Sequence, residues 1–239
     1  AGSRRVTVSG EATDLEIGID QLDAALKGRT NLTAIAQEKD GSFVVDTLRI
    51  GNPQLTANGK GSFAAGALDA TLDLEVPDLG ALQPGMSGSV TATATATEQD
   101  GVRRIEATGT GQDLRLGQQD VDGALTGTTE FRLSAEQQGD RITVRDLRLT
   151  NEQMAAHVEG VLAQTGTDLT ATADIRSLAA FGRGWRGALR LDGSVTDDGS
   201  GARVLALDGT GQDLSLGQSN VDGMLAGETR LTVRGTERR

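Results

Sequence analysis

The sequence predicts an all-β protein, an elongated repeat sheet of mostly antiparallel short strands that is curved into a trough with its apolar face inward. Three observations support this fold class. A unit of about 100 residues recurs along the chain, apolar and polar residues alternate with period 2 in many segments, and turn dipeptides separate those segments.

The recurrence is clearest in one stretch of nineteen residues. The sequence GTGQDLRLGQQDVDGALTG at 109–127 returns as GTGQDLSLGQSNVDGMLAG at 209–227, and a weaker copy, GEATDLEIGIDQLDAALKG, lies at 10–28. Such a repeat indicates units that stack on their neighbours and share a continuous core.

The repeats divide the chain into three segments. We assign a first repeat of about 100 residues to 1–101, a second β repeat to 102–201 and a truncated third repeat to 202–239. Residues 1–5 are expected to be a frayed end. Each complete repeat is predicted to hold about eight short strands, or about 18 in the whole chain.

In the first repeat, alternation predicts strands at 6–19, 32–36, 43–50, 55–57, 68–76 and 90–97. Asp40-Gly41 is typical of a hairpin turn. Helical spacing at 19–26 leaves a helical turn open, although Gly123 at the matching position of the second repeat opposes it. Pro77 ends a strand, and an irregular turn or a short helix is expected at 78–86.

In the second repeat, the segments 142–149 and 169–175 match strands of the first. Asp198-Gly199 predicts a hairpin turn that is longer than its counterpart at Asp100-Gly101.

The composition excludes several classes of function. The formal net charge of −11 opposes binding to nucleic acid or electrostatic docking on anionic lipid headgroups. The chain has no cysteine, so disulfides and thiolate metal sites are excluded. No apolar run reaches the roughly 18–20 residues of a membrane helix. We interpret the chain as an internal piece of a longer protein.

The repeated stretch itself resembles two ligand-binding motifs. As a dinucleotide-binding loop it fails, because Leu114 and Leu214 replace the last glycine. As a calcium repeat it offers Asp113 and Asp213, but a calcium β-roll requires a nine-residue period. We therefore expect its glycines to shape a bulge or tight turn, and its aspartates to cap backbone N–H groups.

Two further features are assigned structural roles. His157 is the only histidine, and it is expected on the polar face of a strand. The basic segment 176–190 contains Phe181 and Trp185, which correspond to Leu82 and Met86 of the first repeat. These two aromatic residues are expected to form an apolar plug over the sheet.

The aliphatic face of the predicted strands is the candidate functional surface. It requires a cover, because a sheet with a wet apolar face is unstable in water. Either the sheet closes on itself around a dry seam, or the trough holds an apolar ligand. The predicted lining residues are Leu15, Ile17, Leu48, Ile50, Leu72, Leu74, Leu114, Leu116, Leu147, Leu149 and Leu214.

The copies resemble the TamB family, the translocation and assembly module proteins among the AsmA-like, bridge-like lipid-transfer proteins. The resemblance lies in the pattern DLxIG or DLxLG, a following LxG, then DLRL with a nearby asparagine, and a leucine-rich segment that contains Leu79, Leu82, Pro84 and Gly88. It covers nearly all of the chain.

The resemblance implies a β-taco, a sheet folded lengthwise into an aliphatic trough. It also implies a place in the periplasm of a Gram-negative bacterium, in a protein anchored to the inner membrane by parts outside this chain. The implied partners are phospholipid acyl chains and an outer-membrane barrel similar to TamA.

Three hypotheses of function follow, and none of them is enzymatic or requires a cofactor. The first is a hydrophobic conduit for phospholipid between the inner and outer membranes, linked to the assembly or secretion of outer-membrane proteins. The second is a scaffold or chaperone that pairs its edge strands with strands of nascent barrels. The third is a structural stalk or adhesin segment with a dry core. Exposed edges also predict end-to-end association.

Overall fold

The computed structural model describes residues 3–16, 18, 20–164, 166–197 and 202–238. The prediction of an all-β fold is confirmed. Fourteen antiparallel strands make one sheet in the described part of the chain, and their order in the sheet is their order in the sequence. The sheet is not closed, because the first and last strands are not paired with each other.

The chain forms two compact units, residues 1–117 and 118–239. The strands of unit 1 are β1 (Arg4–Thr13), β2 (Arg29–Lys39), β3 (Ser42–Gly51), β4 (Thr56–Ala64), β5 (Ala67–Val76), β6 (Ser87–Gln99) and β7 (Val102–Arg115). Those of unit 2 are β8 (Thr128–Gln138), β9 (Arg141–Thr150), β10 (Met154–Ala163), β11 (Gly166–Ile175), β12 (Arg186–Asp197), β13 (Ala202–Ser215) and β14 (Glu228–Arg238).

The strands are fewer and longer than expected. The described part of the chain has six strands in each complete repeat, so the expectation of about eight was wrong. The segment predicted at 55–57 extends to Ala64 as β4, through Gly59 and Gly61. These glycines allow close packing within the sheet, since a Cβ at Gly61 would lie 2.7 Å from the carbonyl oxygen of Asp69.

The first strand also differs at both ends. β1 includes Arg4 and Arg5, which were expected to be frayed, and it ends at Thr13 rather than at residue 19. Asp14, with φ of 53°, ends it by turning into the left-handed region. The hairpin predicted at Asp198-Gly199 lies outside the described residues.

The two edges of unit 1, at opposite ends of its strands, carry different connections. Tight hairpins at Asp40-Gly41, Ala65-Gly66 and Asp100-Gly101 occupy one edge, and both residues of each have positive φ, as type I′ turns require. The longer connections at 14–28 and 77–86 occupy the other edge. We call the strand ends that carry the tight hairpins the hairpin edge, and the strand ends that carry the longer connections the loop edge. Neither name refers to the outer strands of the sheet.

Short helices lie in the longer connections. They are α1 (Asp20–Ala25), α2 (Gln119–Asp122) and α3 (Ser219–Asp222), with 3-10 turns at Leu79–Ala81, Gly123–Leu125 and Leu178–Ala180. The helical turn left open at 19–26 is therefore present as α1. Of the irregular turn and the short helix left open at 78–86, the structure has a single 3-10 turn at Leu79–Ala81. Among the described helices, none is long and apolar enough to cross a membrane.

The buried core lies at the strand ends that adjoin these longer connections. In unit 1 it consists of Ala25, Leu26, Leu55, Ala57, Val76, Leu79 and Leu114, and in unit 2 of Ala124, Leu125, Ile175, Leu178 and Leu214. Ala202 is also buried, but it begins β13 at the opposite end of the strands. The connections thus cover one end of the apolar surface of the strands. Most of the hydrophobic stabilisation that comes from fully buried side chains is concentrated there.

An asparagine fixes the loop edge in each unit. The Asn52 side-chain amide donates to the carbonyl of Ala25 (2.8 Å) and to the Thr30 hydroxyl (3.2 Å). Its oxygen accepts from the backbone N–H groups of Gln54 and Leu55. Asn151 makes the equivalent four contacts in unit 2. Each asparagine therefore joins a helical connection to the backbone just before the next strand, which is β4 for Asn52 and β10 for Asn151.

A β-bulge at the loop edge gives the first testable prediction. Gly88 has φ of 98°, and a Cβ there would lie 2.6 Å from the carbonyl oxygens of Gln112 and Asp113. We expect Gly88→Ala to destabilise the fold by roughly 2 kcal/mol or more, measured by denaturant unfolding. Gly10→Ala is the control, because a Cβ at Gly10 meets nothing within 4 Å. Equal stability of the two variants would contradict this account.

Candidate functional site

The strand register of unit 1 places aliphatic residues on one face of the sheet. Residues that face each other in an antiparallel ladder project to the same side. One row across the sheet is therefore apolar: Leu32, Ile50, Ala57, Leu74 and Ala92. A second row is Ala34, Leu48, Gly59, Leu72 and Ala94. The row between them, on the opposite face, is Thr33, Arg49, Asn58, Asp73 and Thr93.

Unit 2 repeats this arrangement. One apolar row is Phe131, Leu149, Ala156, Ala173 and Leu191, and the next is Leu133, Leu147, Val158, Ala171 and Gly193. We call the apolar surface of each unit its aliphatic face. The opposite surface is the polar face.

Bulges in β3 and β9 keep these faces continuous. Leu48 faces Ala34 in β2, and Val45 faces Ala36, although Val45 and Leu48 are three residues apart. In a strand without a bulge, residues three apart project to opposite faces, so the bulge is what brings both of them to the aliphatic side. The bulge in β9 brings Val144 and Leu147 to one face in the same way.

The aliphatic faces are open in the described part of the chain. Within each unit, extensive contacts between the described strands join only neighbours in the sheet, so no second layer of strands of the same unit packs on its aliphatic face. Leu72, Leu147 and Leu205 are 38%, 38% and 43% exposed, whereas most of the fully buried hydrophobic residues lie at the loop edge. An apolar surface of this extent is typical of a site that meets an apolar partner.

The eleven predicted lining residues fall into separate groups. Six share the aliphatic faces, four of them in unit 1 (Leu48, Ile50, Leu72, Leu74) and two in unit 2 (Leu147, Leu149). Leu114 and Leu214 are buried at the loop edge, and Leu15 is half-buried after the end of β1. Leu116 is 43% exposed beyond the end of β7, and Ile17 lies outside the described residues.

Several residues of the aliphatic faces were missed by the sequence analysis. A groove of about 370 Å³ lies on the face of unit 1, and its apolar lining includes Phe43, Val45, Leu48, Phe63, Leu68 and Leu72. Phe43 and Phe63 face each other and are both about half exposed. Alternation within β3 and β4 together with the tight hairpins could have identified them, because a two-residue hairpin fixes the register.

The repeated glycine–aspartate stretch forms the loop-edge bulge, as the sequence analysis expected. Gly111 faces Val90 on the aliphatic side, and the Leu114 side chain occupies the space above Gly111. A Cβ at Gly111 would lie 2.4 Å from a methyl carbon of Leu114. Gly211 and Leu214 have the same relation in unit 2. The glycine therefore allows the leucine to fold back into the core.

The expectation that Asp113 and Asp213 of this stretch cap backbone N–H groups is confirmed for Asp213, and Asp14 of the weaker first copy makes the same contact. Asp14 and Asp213 have φ of 53° and 50°. The Asp14 carboxylate accepts the N–H of Gly28 (2.8 Å), and the Asp213 carboxylate accepts that of Gly227 (3.1 Å). Among the described residues, no three His, Asp or Glu side chains are grouped so as to hold one metal ion.

His157 lies on the polar face of β10, as predicted, between Arg148 and Thr172 of the neighbouring strands. Its Nε2 is 3.1 Å from a carboxylate oxygen of Asp146, which also pairs with Arg148 at 2.8 Å. This arrangement is a charge cluster on a strand surface.

The basic segment 176–190 also has structural contacts. Phe181 packs against the buried cluster of Ile175, Leu178 and Leu214, which confirms its predicted role as a plug. Trp185 is 37% exposed, and its ring lies where a Cβ on Gly182 would be. The Arg176 guanidinium donates to carbonyl oxygens of the loop between β9 and β10, which holds that loop in place.

No family model, no curated protein and no solved structure matches the chain.

The carboxylate of Asp222 gives a prediction about pH. The backbone N–H of Leu216 (2.7 Å) and then the Ser215 hydroxyl (2.9 Å) bond to it, and they hold the pKa of Asp222 below its ordinary value. A lowered pKa contributes stability above pH of about 3.9 that is lost as the pH falls through the folded-state pKa. We expect the Leu216 amide resonance to shift in NMR spectra with a midpoint below pH of about 3.9.

The matched variant for this experiment is Asp222→Asn. It keeps an oxygen that accepts the Leu216 N–H but cannot titrate, so the pH-dependent shift of that amide is expected to disappear while the loop stays folded. A midpoint at or above the ordinary aspartate value, or an unchanged titration in the variant, would contradict the assignment.

Proposed function

We propose that the chain is a non-enzymatic conduit whose aliphatic faces hold the acyl chains of phospholipids. The observation that carries the proposal is the open aliphatic face of each unit, which has leucine, valine and alanine side chains in register over several strands. Burying an acyl chain on such a surface is worth about 0.8 kcal/mol for each methylene group. Headgroups would remain in water at the rim.

The chemistry of the face suits movement along it. The two described rows of unit 1 contain no charged or hydrogen-bonding side chain, so they offer an acyl chain no fixed anchoring point. Small residues such as Gly59 and Ala94 alternate with leucines in these rows. A weakly structured apolar surface binds chains of different lengths with similar contacts, which is what a conduit requires.

The cellular setting of the proposal comes from the resemblance to the TamB family. On that basis we place the conduit in the periplasm of a Gram-negative bacterium, between the inner and outer membranes. Membrane attachment would come from parts of the protein outside this chain. A barrel partner similar to TamA would link it to the assembly or secretion of outer-membrane proteins.

Two adjacent residues of β5 provide the test. Leu72 lies on the aliphatic face and Thr71 on the polar face, so Leu72→Glu and Thr71→Glu introduce the same charge on opposite sides of one strand. We expect Leu72→Glu to lower the affinity for phospholipid about tenfold, because it removes apolar contact and exposes the acyl chain to a carboxylate. Thr71→Glu should bind as the unaltered chain does.

The measurement is mass spectrometry of lipids that co-purify with each form, followed by transfer of a fluorescent phospholipid between vesicles. Because Leu72 is 38% exposed, its replacement is expected to leave the fold intact, which thermal unfolding checks. Absence of any bound phospholipid on the unaltered chain, or equal loss in both variants, would rule out the conduit.

Strand pairing with a partner protein is a second candidate, favoured by the position of β14. This strand is paired only with β13 in the described sheet, so its other side offers backbone N–H and C=O groups. Under strand addition, Val233→Pro should abolish binding of an outer-membrane barrel protein in a pull-down assay and leave phospholipid loading unchanged. Barrel binding that survives this change would exclude β14 as the pairing strand.

A further inference from the structure

Each of the three copies of the repeated stretch leads through a helical connection into a strand of the same kind. The connections are 14–28, 116–127 and 216–227, and the strands are β2, β8 and β14. β2 is followed in the sheet by β3, and β8 by β9, whereas no strand follows β14 among the described residues. We call the first two the covered copies and the third the open copy.

In the covered copies, an asparagine that follows the covering strand binds the connection. In unit 2, the Asn151 amide donates to the carbonyl of Ala124 (2.7 Å) and to the hydroxyl of Thr129 (3.1 Å). Asn52 donates to the equivalent groups in unit 1. Ala124 and Thr129 are both fully buried. The covering strand is therefore held by side-chain contacts as well as by the ladder.

The open copy has the receiving groups of this contact in the same local structure. Met224 and Thr229 stand where the covered copies have alanine and threonine. The Thr229 hydroxyl donates to the Leu225 carbonyl (3.3 Å), as the equivalent threonine of unit 1 does at the same distance. A hydroxyl that donates one hydrogen bond can still accept another. The receiving half of the contact is therefore already in place.

These receiving groups are open to solvent. Met224 is 83% exposed, whereas the equivalent alanines of both covered copies are fully buried. Thr229 is half-buried, although the equivalent threonines are fully buried. On β14, Leu231 and Val233 are 38% and 57% exposed on the aliphatic face. Apolar side chains and an unpaired strand side that are open in one place are typical of a docking site.

The register of unit 2 specifies how a covering strand would lie on β14. Two leucines of β9 face two apolar residues of β8 there, and the equivalent positions of β14 are Leu231 and Val233. A strand like β9 would thus extend the aliphatic face. Its Asp146 would face Arg234, which corresponds to the serine that Asp146 faces in β8. The charges of the two strands therefore match at this position.

We propose that the open copy is a docking site for a further repeat unit, which binds through a β-strand that ends in an asparagine loop. The strand pairs with the outer side of β14, and the asparagine amide donates to the Met224 carbonyl and the Thr229 hydroxyl. The proposal does not rest on the lipid conduit. It differs from pairing with a barrel protein, because the asparagine contact selects the partner in addition to the strand.

A synthetic peptide of residues 141–155 provides the test, since it contains β9 and Asn151. The fluorescence anisotropy of the labelled peptide is measured while the unaltered chain is added. We expect a dissociation constant in the micromolar range. The same peptide with Asn151→Ala should bind about tenfold more weakly, because both receiving groups lose their donor.

Three variants of the chain assign the contacts. Thr229→Val removes the receiving hydroxyl and should weaken the unaltered peptide about tenfold, with little effect on the Asn151→Ala peptide. Met224→Ala restores the residue of the covered copies and should bind at least as tightly. Thr7→Val is the matched control, because Thr7 is exposed on β1, the outer strand at the other end of the sheet, and it should change nothing. Thermal unfolding verifies that each variant is folded.

Amide NMR spectra of the chain locate the peptide independently of these variants. Shifts are expected at 224–233 and not at 25–32 or 124–131, where an asparagine of the chain already occupies the equivalent place. The covered copies are therefore internal controls in the same molecule.

Several results would overturn the proposal. Absence of binding, or equal affinity of the two peptides, would remove the asparagine contact, and the second result would leave only unselective strand addition. Unchanged binding by Thr229→Val, weaker binding by Met224→Ala or shifts confined to β1 would remove the site from the open copy. The lipid conduit is tested by bound phospholipid, so its failure is distinguishable from each of these results.

Discussion

The constraint on which the fold depends is the parity of the antiparallel ladder. Facing residues project to the same side of the sheet, so a register shift by one residue would turn a whole strand over. Two-residue hairpins hold the register at one edge of unit 1, and the bulges in β3 and β9 restore it where alternation fails. The continuous aliphatic faces are the direct result, because the register aligns apolar residues of neighbouring strands, such as Ile50, Ala57 and Leu74, on the same side.

The stabilising core is separated from the surface available for binding. Full burial is concentrated at the loop edge, where the connections place residues such as Leu26 and Leu79 against the ends of the strands. Asn52 and Asn151 tie these connections to the sheet. The rest of each aliphatic face is only partly buried. Leaving an apolar surface exposed to water costs free energy, and this is the physical basis on which we propose an apolar ligand for it.

The repeated stretch has a role in this division. Its aspartates turn the chain into the left-handed region, and Gly111 and Gly211 make room for Leu114 and Leu214 to enter the core. A stretch that resembles a phosphate or calcium loop therefore has a structural role, which is to fill the buried core at the strand ends with Leu114 and Leu214.

The sequence by itself determined the all-β class, the repeat, the turn at Asp40-Gly41 and the side to which Leu48, Leu72 and Leu147 belong, because period 2 and turn chemistry are local properties. The length of a strand could not be predicted from local sequence. Gly59 and Gly61 would be expected to end β4, and only their close neighbours on the adjacent strands explain why the strand continues through them. The burial of Leu114 and the openness of the aliphatic faces were decided only by the tertiary structure. Each depends on which distant strands become neighbours, and alternation along a single strand carries no information about that.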